Sequence, residues 1–405
     1  MGAPNQGSSL PAGQPPTPDD LCPRQSPLPP QPTEPASPPI YLASVYRCGS
    51  PDDASRLLSG EMPGYVYSRD GHPNADLLAE KCRDLHRAER ATVCSSGMAA
   101  LALAAIAHLE PGQHVVVSNQ LYGRSSQLFA AELPRLGIES TVVDTCDPAA
   151  TAAAFRPHTR LLVVETITNP RLRVSDIAAL AKLARERGAR LLVDNTFATP
   201  VLCRPLELGA DLVVESLTKL MSGHSDVLLG LLCGRAADWQ RVVSTQSTWG
   251  WSTSPFDCWL ALRGLGTLSL RAERAGANAL AASQFLQARD EVAQVDYPGL
   301  AAHPNHALAA RQFEGRFGNM VTFTLKGGRD AAERLIAGAR QIAFCPSLGD
   351  LSTTLSHPAS TSHRSMPDAA REALGITHGT IRLSVGIESS EWVQAALAEG
   401  LDAIE

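Results

Sequence analysis

A lysine and an aspartate follow short apolar runs of this sequence, at positions where both could contact one small molecule. Lys219 comes three residues after the run "DLVVES", and Asp194 is part of the run "RLLVDN". Runs this apolar are typical of strands buried on both faces of a mostly parallel sheet. Because ligands of open α/β sheets bind at the carboxyl ends of the strands, we expect the two side chains to lie close together.

A turn that suits an anion is expected near them. In "VCSSGMAA", Ser96, Gly97 and Met98 stand where a turn leads into an Ala-rich helix. The start of a helix has free backbone N–H groups and the positive end of the helix dipole, and together these bind phosphate. Hydroxyls at Ser216 and Thr218, in "ESLTK", supply further donors. The sequence therefore predicts a phosphate site.

This set of groups suits a phosphorylated aldehyde cofactor. The Lys219 amine can form a Schiff base with the aldehyde. A carboxylate such as Asp194, beside a pyridine nitrogen, keeps that nitrogen protonated, so the ring accepts electrons. The pattern predicts pyridoxal 5'-phosphate (PLP). The rival nucleotide motifs G-x-G-x-x-G and G-x-x-x-x-G-K-[ST] do not occur.

Taken singly, each of these features has an ordinary structural interpretation. A lysine after a strand usually faces solvent, and an aspartate before Asn-Thr often forms a turn or caps a helix. A Ser-Ser-Gly step commonly serves only as a helix cap. The PLP prediction therefore depends on the ordered set and not on any one residue.

The composition excludes several other classes of protein. The 405 residues are 44% hydrophobic and 19% charged, and the net charge of -6 gives no reason to expect nucleic acid or a membrane as partner. There is no apolar run of about 18 residues and no signal-peptide pattern. The nine cysteines form no C-x-x-C pair and the histidines form no ligand cluster. We therefore predict reduced thiols, a cytoplasmic protein and no metal site.

The pattern along the chain divides it into regions. Residues 1–39 are rich in Pro, Ser and Gln, which predicts a disordered tail, with a Pro-rich docking peptide as the alternative. Residues 76–265 alternate apolar runs with helical stretches and are predicted to form a large α/β domain. Residues 266–405 are predicted to form a smaller one. Ser175 is the predicted N-cap of the helix "SDIAALAKLARERG", and "SSQLFAAELPRLG" is predicted to form a helix with a proline kink.

From about Pro38 to Ala403 the motifs resemble those of the PLP-dependent Cys/Met metabolism (trans-sulfuration) enzymes. That family includes cystathionine γ-synthase, cystathionine lyases, methionine γ-lyase and homoserine-ester sulfhydrylases. The resemblance implies an aspartate aminotransferase-like, fold type I α/β architecture, with a mostly parallel seven-stranded central sheet and a smaller C-terminal α/β domain. The motifs that carry it are "YSRDGHPN", "CSSGMAAL", "LYGRS", "VETITNPRLRVSDI", "VDNTFATP", "LELGADLVVESLTKLMSGHSD", "SPFDCWLALRGLGTL", "SLGDLSTTLSHPAS" and "IRLSVGIE".

The resemblance also implies a role for individual residues. Lys219 is the implied Schiff-base lysine and catalytic base, and Tyr122 the implied ring that stacks on the cofactor and assists proton transfer. Arg382 is expected to grip the substrate α-carboxylate in a bidentate pair, with help from Asn169 and Ser347. The full implied cofactor-binding set is Tyr67, Arg69, Gly97, Met98, Tyr122, Asn169, Asp194, Ser216, Thr218 and Lys219.

Two members of that set imply a partner subunit. Tyr67 and Arg69 resemble a pair that reaches from an N-terminal arm, residues 40–75, into the neighbouring subunit to bind its phosphate. Read without the resemblance, they are a surface Tyr and Arg. The resemblance thus implies a homotetramer of catalytic dimers, in which a monomer does not complete the site.

The exact reaction is less constrained by sequence. His72, Arg124 and Ser352 stand where the family often has Asn, Gly or Cys, and Glu, respectively. We favour a C–S lyase that acts on cystathionine or a related thioether amino acid by β- or γ-elimination. The alternative is γ-replacement on an activated homoserine ester by a synthase or sulfhydrylase. A non-catalytic scaffold is a third hypothesis, which the intact cofactor set disfavours.

Overall fold

Seven short runs of the sequence form the larger of two β-sheets. The computed structural model describes residues 33, 35–364 and 366–404, so most of the predicted Pro-rich tail lies outside the described residues. The strands of the large sheet are β1 (Arg90–Cys94), β2 (His114–Ser118), β3 (Glu139–Val143), β4 (Thr159–Glu165), β5 (Arg190–Asp194), β6 (Leu212–Ser216) and β7 (Gly230–Gly234). Their order is β1-β7-β6-β5-β4-β2-β3. The neighbouring pairs β6–β5, β5–β4, β4–β2 and β2–β3 are parallel, and β7 is antiparallel to both its neighbours, β1 and β6. The predicted mostly parallel, seven-stranded sheet is confirmed.

Helices cover both faces of this sheet, which explains why its strands are so apolar. Along β2, Val115 and Val117 belong to one hydrophobic core, whereas Val116 belongs to the core on the opposite face. Successive side chains of a strand point to opposite faces, so a strand buried on both faces needs an apolar residue at every position. The helices of this region are α1 (Pro51–Leu58), α2 (Pro73–His86), α3 (Gly97–His108), α4 (Gly123–Gln127), α5 (Pro148–Ala153), α6 (Ile177–Glu186), α7 (Thr199–Leu202), α8 (Val242–Trp249) and α9 (Pro255–Leu265).

Two local predictions are corrected by the structure. The N-cap of α6 is Asp176, whose side chain accepts the N–H of Ala179, whereas the Ser175 hydroxyl donates to the Glu165 carbonyl at 2.7 Å. The predicted kinked helix "SSQLFAAELPRLG" is a succession of three helix types, in which α4 passes into a π-helix (Leu128–Glu132) and then a 3-10 helix (Leu133–Leu136). Proline 134 has no N–H for an α-helical bond, which accounts for the change of helix type there.

A smaller sheet forms the core of the C-terminal region. Its strands are β8 (Val292–Asp296), β9 (Met320–Leu325), β10 (Ala343–Phe344), β11 (Thr354–Ser356) and β12 (Thr380–Ser384), in the order β10-β11-β12-β9-β8. Phe323, Leu383 and Val393 lie in one buried cluster between this sheet and its helices. These helices are α10 (Leu268–Gln287), α11 (His306–Gln312), α12 (Gly328–Gly338), α13 (Asp368–Ala373) and α14 (Ser390–Asp402), and further 3-10 turns are Pro205–Leu208, Ala236–Asp238 and Pro358–Ser360.

The large sheet brings three polar strand ends together. Glu165 at the end of β4 pairs in register with Asp194 at the end of β5, and Ser216 ends the next strand, β6. The start of α3 packs against this same edge, since Gly97 lies beside Ser216. Within the described ranges, every helix is too short or too polar to cross a bilayer. The boundaries predicted at residues 75 and 265 stay predictions.

Candidate active site

A cavity of about 230 Å³ lies at these strand ends and gathers most of the predicted site residues. Walls from the large domain carry the groups expected to bind the cofactor. Residues 346–348 and Arg382, from the small domain, form another wall. The predicted site residues that line it are Gly97, Met98, Tyr122, Asn169, Asp194, Ser216, Thr218, Lys219, Ser347 and Arg382.

One end of the cavity has the form of an anion cradle. Ser96 is the N-cap of α3, and its hydroxyl accepts the N–H of Ala99 at 3.0 Å. The N–H groups of Gly97 and Met98 come first in the helix and therefore have no acceptor within it. A Cβ built at Gly97 would lie 2.9 Å from the Ser216 Cβ, so only glycine permits this close approach. The free amides at a helix start fit a phosphate.

The two hydroxyls beside this cradle differ in what they contact. The Ser216 backbone N–H donates to the Thr196 hydroxyl at 2.9 Å, which fixes the end of β6, while its side chain borders the cavity. The Thr218 hydroxyl donates to the Leu229 carbonyl at 3.2 Å and accepts the Leu229 N–H at 3.1 Å. Because the Thr218 hydroxyl hydrogen is engaged by the Leu229 carbonyl, the Ser216 hydroxyl is better placed than that of Thr218 to donate to a phosphate.

Asp194 is a carboxylate that lines the cavity. Its Oδ1 accepts from the backbone N–H and the hydroxyl of Thr196, at 3.0 and 2.5 Å. Burial raises the pKa of Asp194 to about 6, and the bonds from Thr196 partly oppose the rise. Within the described residues Asp194 has no cationic partner. A protonated pyridine nitrogen would supply one, and in return the carboxylate would keep it protonated.

Lys219 is held between the two domains. Its ammonium or amine Nζ donates to the Ser347 hydroxyl at 2.9 Å. Burial, and then the charge of Arg382, lower the pKa of Lys219 below its ordinary value. Both effects favour the neutral amine, which is the form that attacks an aldehyde or removes a proton.

Arg382 sits on β12 with its guanidinium only partly satisfied. Its Nη1 donates to the Asn169 Oδ1 at 2.8 Å, and Nη2 donates to the Ser347 carbonyl at 3.0 Å. Its Nε is buried without a hydrogen-bond partner in the described part of the chain. Burial lowers the pKa of Arg382 to about 10, so the group is cationic at neutral pH. A fixed, buried guanidinium with a free donor suits a carboxylate.

Glu165 is a site residue for which the sequence had suggested no role. One carboxylate oxygen accepts the Tyr122 backbone N–H at 2.6 Å, and the other accepts the Asn169 backbone N–H at 3.2 Å. Burial and then the nearby Asp194 raise the pKa of Glu165 well above its ordinary range. Glu165 thus ties together the loops that carry Tyr122 and Asn169. In the sequence, the position of Glu165 at the end of a predicted strand was the feature that could have indicated a role in the site.

Tyr67 and Arg69 do not line this cavity. Tyr67 is exposed, and the Arg69 guanidinium lies over its ring at 5.2 Å from the centroid. Their role at a neighbouring subunit stays a prediction. His72 is a structural residue here, because it caps α2, accepting the Ala75 N–H, and its Nε2 lies 3.1 Å from the Thr253 hydroxyl.

The two specificity positions lie near the cavity without lining it. Arg124 is exposed and donates to the Gln127 side chain at 2.7 Å. Ser352 is exposed and its hydroxyl donates to Asp350 at 3.2 Å. Neither residue is among those that line the cavity.

The comparison with protein families decides what this site belongs to. Residues 24–402 match the model of the "Cys/Met metabolism PLP-dependent enzyme" family. The chain belongs to that family. The family resemblance predicted from the motifs is confirmed, and the protein is a PLP-dependent trans-sulfuration enzyme with PLP as its cofactor. The cradle at Gly97, the unpaired Asp194 carboxylate and the Lys219 amine fit that cofactor's phosphate, ring nitrogen and aldehyde.

Individual members of the Cys/Met metabolism family are similar over most of the chain. An O-succinylhomoserine sulfhydrylase of Pseudomonas aeruginosa is 40% identical, over 90% of both chains. An L-methionine gamma-lyase of Porphyromonas gingivalis is 38% identical, over 90% of this chain and 92% of its own. The crystal structure of a cystathionine gamma synthase from Xanthomonas oryzae, in complex with aminoacrylate and cysteine, is 39% identical with a TM-score of 0.86, over 91% of this chain and 93% of its own. The predicted fold class is thereby confirmed.

Proposed function

We propose that this protein cleaves the C–S bond of a thioether amino acid by PLP-dependent elimination. The observation that carries the proposal is the apolar part of the cavity lining, which accompanies a single lysine and a single arginine. Met98, Ile167 and Leu348 contribute to the apolar lining, and no side chain lining the cavity is a second lysine or arginine. An apolar wall suits the thioether part of a substrate, whereas its α-carboxylate needs the single arginine.

Arg382 orients the substrate. Its free Nε–H and the second hydrogens of its terminal nitrogens are available to the α-carboxylate, because Asn169 and Ser347 each take only one. Because both terminal nitrogens of the guanidinium are held by hydrogen bonds, the bound α-carboxylate has one preferred orientation. The α-hydrogen is then directed toward the amine of Lys219, which donates to the Ser347 hydroxyl beside Arg382.

Lys219 moves the protons. When bound, PLP supplies an electron sink that stabilises the negative charge formed as the α-proton leaves. Lys219 takes that proton, since its lowered pKa favours the neutral amine. Asp194 keeps the ring nitrogen protonated. Tyr122, whose backbone N–H is held by Glu165, lines the cavity and assists proton transfer.

The second candidate is γ-replacement on a homoserine ester. It is favoured by the exposed guanidinium of Arg124, two residues after Tyr122, which is available to a distal carboxylate such as that of a succinyl ester. A γ-elimination and a γ-replacement share loss of the γ-substituent. They differ in whether a thiol is then added. The sulfhydrylase and synthase relatives also support this candidate.

The complete site is proposed to include a second copy of the chain. Tyr67 and Arg69 lie outside the cavity in one subunit and expose a tyrosine hydroxyl and a guanidinium. Both groups suit a phosphate. Their exposure supports the proposal that they complete the phosphate site of a neighbouring subunit in a homotetramer of catalytic dimers, with cytoplasmic sulfur amino-acid metabolism as the setting.

A substrate panel tests the proposed reaction. The PLP-loaded protein is incubated with cystathionine, methionine, homocysteine or cysteine alone. It is also incubated with O-acetyl- or O-succinylhomoserine, with and without cysteine or sulfide. Keto acid and ammonia formed from a thioether alone are the expected result. If the only product is cystathionine or homocysteine, formed from an ester plus a thiol, the lyase assignment is wrong and the second candidate is correct.

A further inference from the structure

A second cavity, of about 350 Å³, is lined by loops that lead directly into the active site. Asn119 is three residues before Tyr122, and Arg171 is two residues after Asn169. The facing wall comes from the small sheet and includes Asp296 at the end of β8. At about 30 Å³ per water, this volume corresponds to about ten waters. A single structural water therefore does not fill it.

Three side chains that line this second cavity carry a buried polar atom without a hydrogen-bond partner among the described residues, and one of these atoms, the Asp296 Oδ2, is instead ion-paired with Arg171. His303, 6% exposed, accepts the Asn305 N–H at Nδ1 at 3.2 Å. Burial, and then the nearby Arg173 and other cations, lower the pKa of His303 to about 4, so the neutral ring carries its hydrogen at Nε2. In the described part of the chain that Nε2 has no partner, and neither does the Asn119 Oδ1. One unused donor and one unused acceptor thus belong to the same cavity.

The charges that line the second cavity balance. Arg171 and Arg173 are opposed by Asp144 and Asp296. One pair is direct, with 3.0 Å between Arg171 Nη2 and Asp296 Oδ2. A simple anion would face two carboxylates there, and a simple cation would face two guanidinium groups. A ligand with both charges and no net charge meets a favourable partner at each end.

Asp144 and Arg173, the other two charged residues of the second cavity, each have polar atoms that a ligand could contact. Asp144 Oδ1 accepts from the Gln120 side chain and the Cys146 N–H, at 3.2 and 2.9 Å, and the Cys146 thiol lies within hydrogen-bonding reach of both the Asp144 carboxylate and the Arg173 guanidinium. Within the described residues, Oδ2 accepts no hydrogen bond from an N–H or a hydroxyl. Arg173 donates through Nε to the Asn305 side chain at 3.2 Å, and within the described residues it forms no ion pair. A carboxylate oxygen and a guanidinium end thus remain for a ligand.

We propose that this second cavity binds a small zwitterion of the amino-acid class. The ammonium lies beside Asp144 and the Asn119 Oδ1, and the carboxylate lies beside Arg173 and the His303 Nε2–H. The occupant contacts the loops that hold Tyr122 and Asn169, so its binding changes the KM of the enzyme for its substrate. The site does not depend on which trans-sulfuration reaction the enzyme catalyses.

Calorimetric titration of the PLP-loaded enzyme tests this proposal. The probes are the twenty protein amino acids, with acetate and ethylammonium as single-charge controls, and the cofactor absorbance is recorded in parallel. Heat without a change in absorbance reports binding away from the cofactor. We expect this from at least one amino acid and from neither control. Activity and the absorbance band report the proposed function separately.

The substitution Asp144→Asn identifies the cavity. Asparagine keeps the size of the side chain and the two bonds that Oδ1 accepts, but removes the charge that faces the ammonium. We expect at least a tenfold loss of affinity for the amino acid and a gain of acetate binding. The matched control is Asp147→Asn, an exposed N-cap outside the cavity, where asparagine also caps well.

A second variant, His303→Leu, removes the free donor and should weaken binding, whereas His303→Gln retains an acceptor and a donor and should restore part of it. The proposal is overturned if no amino acid gives heat without a change in absorbance. It is also overturned if Asp144→Asn binds the amino acid as tightly as the wild type.

Discussion

The two cavities differ in how their charged groups are compensated. In the cofactor cavity, Lys219, Asp194 and Arg382 form no ion pair within the described residues, and burial shifts the pKa of each toward its neutral form. In the second cavity, Arg171 is paired directly with Asp296. The formal charges lining each cavity sum to zero, since Glu165 and Asp194 oppose Lys219 and Arg382 in the first, so the difference lies in direct pairing. Charges left without a direct partner indicate a site that a charged cofactor completes, whereas a direct ion pair beside one further group of each sign suits a zwitterionic ligand.

The largest expected effect is that of Lys219→Ala. The substitution removes both the amine that bonds to the cofactor and the base, so we expect loss of the absorbance band of lysine-bound PLP and of all measurable turnover. Amino-acid binding in the second cavity should be unchanged, since Lys219 does not line it. Lys182→Ala, an exposed residue of α6, is the control. Retained turnover in Lys219→Ala would contradict the assignment.

Asp194→Asn should have the next largest effect. Asparagine keeps the bonds from Thr196 but cannot keep a ring nitrogen protonated. Removal of one preorganised charge costs about 10²- to 10³-fold in kcat, and we expect a loss in that range with PLP still bound. Steady-state kinetics and the absorbance band check it. Asp176→Asn, at the N-cap of α6, should leave kcat unchanged.

Arg382→Lys should act mainly on substrate binding. A lysine keeps the charge but cannot bond to Asn169, Ser347 and a carboxylate at once in a planar arrangement. We expect KM to rise by about 10- to 100-fold, corresponding to the loss of one or two charge-assisted hydrogen bonds. The same change at exposed Arg316 is the control. An equal fall in kcat at unchanged KM would show that Arg382 does not bind the substrate.

The sequence predicted that Lys219, Asp194 and Gly97 lie close together, whereas their roles toward the cofactor stay predictions and the second cavity was not predicted. Lys219, Asp194 and Gly97 follow or precede strongly apolar segments, so the sheet topology alone brings them to one edge. Asp144 and Asp296, in contrast, come from different domains, and no spacing in the sequence relates them. The missed N-cap has a similar cause: the Ser175 hydroxyl is used by the Glu165 carbonyl, a contact made only in the folded chain.

The smallest and most specific expected effect is a shift in a pH profile. The neutral Lys219 amine is needed to bond to PLP, so the rate at which apoprotein takes up the cofactor should rise with pH through the pKa of Lys219. Burial, and then the charge of Arg382, hold that pKa low. Arg382→Gln removes the repelling charge, which raises the pKa of Lys219 and moves the midpoint of the profile to higher pH.

Growth of the absorbance band after PLP is mixed with apoprotein, followed across pH, measures this shift. His303→Gln is the matched control from the second cavity. His303 is neutral above about pH 4, so its replacement by a neutral side chain changes no charge in the range of the measurement. The midpoint should stay where it is in the wild type. A shift of the midpoint to higher pH in Arg382→Gln but not in His303→Gln would show that the pKa of Lys219 depends on the charge of Arg382 and not on the second cavity. Equal shifts in the two variants would contradict this.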